Sequence, residues 1–257
     1  MKIYPKKSLG QNYLTDENIS RNIVNLFDVN INDSVLEIGP GHGALTKYLS
    51  EKTNKVVLIE LDRNNCSILE KKFPKLRVIN KNFLEIDLKK ISELEFNSSN
   101  FRVIGNIPYN ITSEIIFKLI DNRNIISDAQ LMIQAEVAKR LIANPGSKEY
   151  GIPSVLVQVF SRPKLLFKVS RNCFYPKPNV DSRIIYFDFT HRMEGKINDI
   201  AFFKKFVKAA FGTRRKTLKN SLKKLNIDTN KTDFDFSRRA ETLTVDEFIS
   251  LSNLYIK

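Results

Sequence analysis

The run Glu37-Ile38-Gly39-Pro40-Gly41-His42-Gly43 joins a short apolar stretch, 34–38, to a helix-like stretch, 44–50. Glycines at a strand-to-helix turn permit positive φ and let the backbone approach a ligand closely. In open α/β sheets the ligand sits outside the carboxyl ends of the strands. Outward from this turn the two kinds of stretch alternate. Towards the N-terminus, a helix with Thr15 as its N-cap carries Ile19, Ile23, Val24, Leu26 and Phe27 along one side. Towards the C-terminus, 55–61, 76–80, 101–105 and 130–134 read as strands, and 63–72, 112–121 and 135–143 as helices. Stretches 154–161 and 182–189 have no helical pattern between them and read as an antiparallel strand pair. The alternation predicts an α/β fold, an open and mostly parallel sheet covered by helices.

Composition narrows the function. The 257 residues carry 42 Lys and Arg against 28 Asp and Glu, a net charge of +14. Two cysteines, Cys66 and Cys173, are too few for a disulfide framework or a four-cysteine zinc site. Two histidines, His42 and His191, exclude a histidine-rich metal site, and no metal is expected. No run approaches the roughly 18 apolar residues of a membrane span, and the basic N-terminus leads into no apolar signal core. A cytoplasmic protein with no membrane partner is therefore expected. No dimerisation heptad is visible, and a monomer is expected.

The charge is uneven. Residues 1–189 carry a net +7, and residues 190–257 carry another +7 in 68 residues. This division, with a catalytic domain over 1–189 and a small basic helical domain over 190–257, is the expected domain organisation. Between Phe203 and Lys224 there are nine basic residues and no acid. Lys204, Lys205, Lys208, Arg214, Arg215, Lys216, Lys219 and Lys223 are the candidates for binding a polyanion, on helices whose other face carries Phe203, Phe206, Val207, Leu218 and Leu222.

Two further motifs specify the chemistry. Glu60 ends the strand after the glycine turn, where a carboxylate can accept hydrogen bonds from ribose hydroxyls. That fits NAD and S-adenosylmethionine equally, as does the loose pattern Gly39-x-Gly41-x-x-Ala44. Asn106-Ile107-Pro108-Tyr109 follows the strand 101–105 and matches the pattern of enzymes that methylate exocyclic amino groups of bases. An adenine amino nitrogen is a poor nucleophile, because its lone pair is delocalised into the ring. The Asn106 side-chain oxygen and the Ile107 carbonyl can accept its two hydrogens and localise that pair. Pro108 stiffens the turn, and Tyr109 offers a face for stacking. Phe174, before the turn Tyr175-Pro176-Lys177-Pro178, is a candidate second wall for an extruded base, with core packing as the competing reading.

Taken together, the segments 8–14 (SLGQNYL), 37–41 (EIGPG), 59–63 (IELDR) and 106–110 (NIPYN) resemble the rRNA adenine N6-dimethyltransferases. The segments 174–183, 210–222 and 239–253 are similar to the housekeeping branch, which acts on small-subunit rRNA, more than to the branch that methylates large-subunit rRNA. The resemblance implies a Rossmann-like seven-stranded S-adenosylmethionine-dependent methyltransferase fold with a small α-helical C-terminal domain. It implies dimethylation of two adjacent adenines in the 3′-terminal hairpin loop of 16S rRNA, with the small ribosomal subunit as partner. The cofactor contacts it implies fall on Asn12, Leu14, Gly39, Gly41, Glu60 and Asn106. At the position where the family usually has Asp, facing the cofactor's adenine amino group, this chain has Asn82, which accepts without charge assistance. Three rival readings remain: a large-subunit target, a ribosome-assembly factor whose catalysis is secondary, and an NAD-dependent enzyme.

Overall fold

The structure is a computed structural model that describes residues 5, 6, 9–98, 100–213 and 215–256. The chain opens with β1 (Tyr13–Leu14), α1 (Glu17–Phe27) and β2 (Val35–Ile38), which leads into the glycine turn. Next come α2 (Thr46–Leu49), β3 (Val56–Glu60), α3 (Arg63–Lys72), β4 (Arg77–Asn80) and α4 (Leu88–Phe96). The alternation continues through β5 (Phe101–Asn106), α5 (Thr112–Asp121), β6 (Ile126–Gln134) and α6 (Ala135–Leu141). Then follow α7 (Ile152–Phe160), β7 (Arg162–Val169), β8 (Phe174–Tyr175) and β9 (Ser182–Asp188). The last helices are α8 (Ile200–Phe211), α9 (Leu218–Ser221) and α10 (Val245–Leu254). No helix among the described residues is long and apolar enough to cross a membrane.

Seven strands form one Rossmann-like sheet in the order β4-β3-β2-β5-β6-β9-β7. β2 pairs in parallel with β3 and β5, β3 with β4, and β5 with β6, while β9 runs antiparallel to β6. The chain winds outward from β2 to β4 and then returns to β5 on the other side of β2. The carboxyl ends of β2 and β5 therefore form the topological switch point, where such sheets bind ligands. Here the two backbones come close. Ile38 is paired with Gly105, and a Cβ on Gly105 would lie 2.6 Å from the Ile38 carbonyl oxygen.

Two local readings are corrected. The N-cap of α1 is Asp16, not Thr15: its carboxylate accepts from the Ile19 N–H at 3.0 Å. Thr15 is committed elsewhere, donating through both its N–H and its hydroxyl to the Cys173 carbonyl. Residues 154–161 are not a strand. They lie almost wholly in α7, where Val155, Leu156, Val157, Val159 and Phe160 are all buried. A helix buried on nearly every side has no polar face to reveal its period. Its start signal is local: Pro153 stands in the first turn, and the Gly151 N–H donates to Ser154 Oγ. β9 neighbours β7 instead.

The chain divides into two compact units, 1–138 with 164–190, and 139–163 with 191–257. The division expected between 189 and 190 thus misses residues 139–163, which pack with the C-terminal helices. Within the second unit Phe160 meets Phe203 edge-on, Phe211 stacks on Phe248 at 5.6 Å, and α7 contacts α8 and α10. The first unit holds the sheet and a core that runs from Ile23, Val24 and Phe27 of α1 through Leu58 and Ile104 to Ile184.

Gly105→Ala is expected to lose about 1–3 kcal/mol of stability, because its methyl meets backbone and not a yielding side chain. Denaturant unfolding checks this against Gly195→Ala, whose methyl would meet nothing within 4 Å and which should leave the midpoint unchanged.

Candidate active site

A cavity of about 310 Å³ opens at the switch point of the first unit. Its floor is the glycine turn, where Gly39, Gly41 and Gly43 all adopt positive φ. At Gly41 a side chain is excluded twice over, by its φ of +56° and by the Tyr13 ring, which lies 2.9 Å from where a Cβ would stand.

Glu60, at the end of β3, is 6 % exposed and lines the cavity. One carboxylate oxygen accepts from the Gly41 N–H at 3.0 Å and the other from the Asp62 N–H at 2.8 Å. Burial raises its pKa, opposed by these two N–H donors. Each oxygen retains a lone pair for a ligand hydroxyl. The carboxylate therefore does two things: it holds the glycine turn and faces the cavity.

The N-terminal segment forms the opposite wall, with residues 9–15 lining the cavity. Asp62 ties it down. Lys6 Nζ lies 2.9 Å from one Asp62 oxygen, and Gln11 Nε2 donates to the other at 3.0 Å. Burial pushes the Asp62 carboxyl upward, but its bonds from Lys6, Gln11 and the Asn64 N–H hold it below the ordinary range. Tyr13 stacks on His42 with ring centroids 4.0 Å apart, and β1 pairs with β8. Burial pushes the His42 pKa down, and Lys72 adds to the effect. The imidazole thus serves as a neutral stacking surface.

Asn106 ends β5 beside the glycine turn. Its Nδ2 donates to the Asn12 carbonyl at 2.9 Å. With the nitrogen committed, the side-chain oxygen is left as a free acceptor. Ile107, Pro108 and Tyr109 follow along the cavity lining. The Tyr109 hydroxyl shares a 2.6 Å hydrogen bond with Ser182 Oγ, which fixes the ring, and burial raises its pKa. Asn82 also lines the cavity, with its side-chain oxygen accepting from the Leu84 N–H and its nitrogen donating to Glu85. Asn12, Leu14, Gly39, Gly41, Glu60, Asn82 and Asn106 thus converge on one cavity.

Phe174 does not join them. It is 4 % exposed and packs in the core with Leu14 and Ile184, outside the cavity lining. The competing core reading holds for this side chain, and the structure does not set it opposite Tyr109. Phe174 pairs with Leu14 across β1 and β8, and Tyr175 pairs with Tyr13.

One buried acid of the cavity lining was not singled out by the sequence. Glu37 is 1 % exposed, lines the cavity, and accepts from Thr46 Oγ1 at 2.7 Å. Burial drives its pKa up to about 8, and Glu60 adds to the effect, against the Thr46 hydrogen bond. The available signal was an acid inside an otherwise apolar strand, with a threonine nine residues on. Among the described residues, no group of three His, Cys, Asp or Glu side chains is arranged to hold a metal ion.

In the second unit, Lys205, Lys208, Arg215, Lys216, Lys219 and Lys223 are exposed. Lys204 is half-buried with its ammonium 5.4 Å from the Phe160 ring centroid. Arg214 lies outside the described residues.

Comparison with known proteins now decides the lineage. The family model for ribosomal RNA adenine dimethylase matches residues 4–257. The chain belongs to the ribosomal RNA adenine dimethylase family. Among relatives of this dimethylase, a ribosomal RNA small subunit methyltransferase A from Chlorobium phaeobacteroides (strain BS1) is 45% identical over 246 residues, 96% of this chain and 92% of that protein. One of the same name from Francisella tularensis subsp. novicida (strain U112) is 42% identical over 261 residues, 96% of each chain. The crystal structure of a dimethyladenosine transferase from Plasmodium falciparum superposes with a TM-score of 0.77 at 26% identity, covering 93% of this chain and 95% of that one. The 23S rRNA methyltransferase ErmE, at 22% identity and a TM-score of 0.66 over 93% of this chain and all of its own, shares the fold. The dimethylase described here is thus an S-adenosylmethionine-dependent rRNA methyltransferase.

The buried Glu37 gives a pH signature with a definite sign. Folded protein keeps the proton up to about pH 8, whereas the unfolded chain releases it near 4.5. Folding therefore takes up a proton in that window, and this group's contribution makes stability fall as pH rises through it. The melting temperature of the ligand-free protein is expected to show this slope, and Glu37→Gln, neutral at every pH, to flatten it.

Proposed function

We propose that this dimethylase transfers methyl groups from S-adenosylmethionine to the N6-amino groups of two adjacent adenines in the 3′-terminal hairpin loop of small-subunit (16S) rRNA. What carries the reading is Asn106, held at the switch point with its amide nitrogen on the Asn12 carbonyl and its oxygen left to accept. Support for the small-subunit target comes from relatives of that name, matched along almost their whole length.

The cavity suits the cofactor. Glu60 is the group for the ribose hydroxyls and Asn82 for the adenine amino group. When bound, the cofactor supplies an electrophilic methyl on a sulfonium that leaves as a neutral thioether. The protein's part is to sharpen the nucleophile. The Asn106 side-chain oxygen and the Ile107 carbonyl accept the two amino hydrogens, so the nitrogen lone pair turns from the ring towards the methyl carbon. Tyr109, locked by Ser182, offers its face to the base. No side chain needs to remove a proton before attack, since the proton can pass to water afterwards. Phe174 remains a proposed contributor only as support behind the β1–β8 pair. The exposed lysines and Arg215 of the second unit, with Arg214, are the proposed contacts to rRNA phosphates. A cytoplasmic monomer acting on the small subunit completes the proposal.

The test is transfer of labelled methyl to small ribosomal subunits lacking this modification, with unmodified large-subunit RNA in parallel. Dimethyladenosine near the 3′ end of the small-subunit RNA is the expected product, and label only in large-subunit RNA overturns the assignment. Asn106→Ala should retain cofactor binding within about tenfold while transfer falls by about 10²-fold or more, the size of losing a positioned hydrogen-bonding group in a transition state. Phe174→Ala is expected to cost about 3–5 kcal/mol of stability, as for a buried core ring. A large rise in KM for RNA with unchanged stability would instead make Phe174 a wall of the base pocket.

A further inference from the structure

The proposed contacts to rRNA phosphates lie in the second unit, and none lines the cavity of the first. The first unit carries its own acid-free basic stretch. From Lys164 to Val180 there are four basic residues, Lys164, Lys168, Arg171 and Lys177, and no acid. All four are exposed. Two of them have structural work: Lys168 pairs with Asp181 at 2.7 Å, and the Arg171 guanidinium donates to the Asn179 carbonyl at 3.1 Å. Lys164 and Lys177 have no ion-pair partner among the described residues.

Within this stretch stands Tyr175, 61 % exposed. Its place is set by the two-residue ladder. Tyr175 is directly opposite Tyr13, so the two side chains share one face of the pair. The Tyr13 ring lies over Gly41 and against His42, which line the cavity. Tyr175 therefore extends the aromatic lining outward from the cavity to the protein surface. An exposed aromatic face with an unpaired lysine two positions along the chain offers a single-stranded nucleic acid a surface for a base and a charge for the phosphate.

We propose that Tyr175, with Lys177 beside it, is a stacking platform for a nucleotide flanking the target adenine. The proposal rests on the RNA-methylating reading of the cavity. Tyr175 is a binding residue and takes no part in the transfer itself.

The experiment compares wild type, Tyr175→Ala, Tyr175→Phe and Lys177→Ala on unmethylated small ribosomal subunits. KM for the subunit, kcat, the Kd for S-adenosylmethionine and the melting temperature are measured for each. With Tyr175→Ala, KM for RNA is expected to rise by about 5- to 100-fold, the range for losing one stacked base. Cofactor Kd and melting temperature stay put, and Tyr175→Phe restores the RNA affinity. Lys177→Ala should reduce the slope of log affinity against log salt by about one. An unchanged KM for Tyr175→Ala overturns the proposal. So does a parallel loss of cofactor affinity, which would make Tyr175 a prop for β1. Should wild type transfer no methyl to any rRNA, the underlying reading fails separately. Filter binding of the same RNA to the same variants still decides whether Tyr175 holds a base.

Discussion

The close approach of β2 and β5 at Ile38 and Gly105 is the constraint on which the site depends. Because no side chain separates the two backbones there, the glycine turn after β2 and Asn106 after β5 emerge side by side. Everything chemical is arranged around that pair of strand ends. Glu60 reaches from the next strand to hold Gly41, and the N-terminal segment supplies the Asn12 carbonyl that orients Asn106. The cavity is thus a product of sheet topology, with loop residues completing what the strands begin.

A second theme is the double use of polar groups. Glu60 holds the turn through one oxygen on the Gly41 N–H and its own strand end through the other on the Asp62 N–H, while each oxygen keeps a lone pair. Asn106 spends its nitrogen on the Asn12 carbonyl and leaves its oxygen as an acceptor. Asn82, which lines the cavity, caps a short helical turn with its side-chain oxygen. In each case a backbone contact fixes the rotamer, so little freedom is left to lose on binding.

Much of this was legible in the sequence, and the exceptions have physical causes. The helices 63–72 and 112–121 were readable residue for residue, since each carries an apolar stripe against a polar face. The residues of the turn, the strand end and the NIPY run that line the cavity were readable because each motif is contiguous. The helix at 152–160 was not, because burial on most sides erased its period. The face on which Phe174 lies was not either, since a two-residue strand offers no alternation to read. The ties of Lys6 and Gln11 to Asp62 join residues 56 and 51 positions apart, a distance at which local patterns carry no information.

At the opposite end of the sheet, Arg102 of β5 is bonded to Asp33 and Asp128 and to the Phe27 and Asp28 carbonyls, while Tyr186 donates to Asp128. Such a buried charged cluster is geometrically demanding more than it is stabilising, since desolvation offsets much of the attraction. Its effect here is mechanical. It locks the end of α1 to β5 and β6 in one arrangement, whereas the cavity end is closed by a two-residue ladder and an ion pair whose lysine is half-exposed. The first unit is therefore cross-linked by a dense charged network at its base and by sparser, more exposed contacts around the cavity.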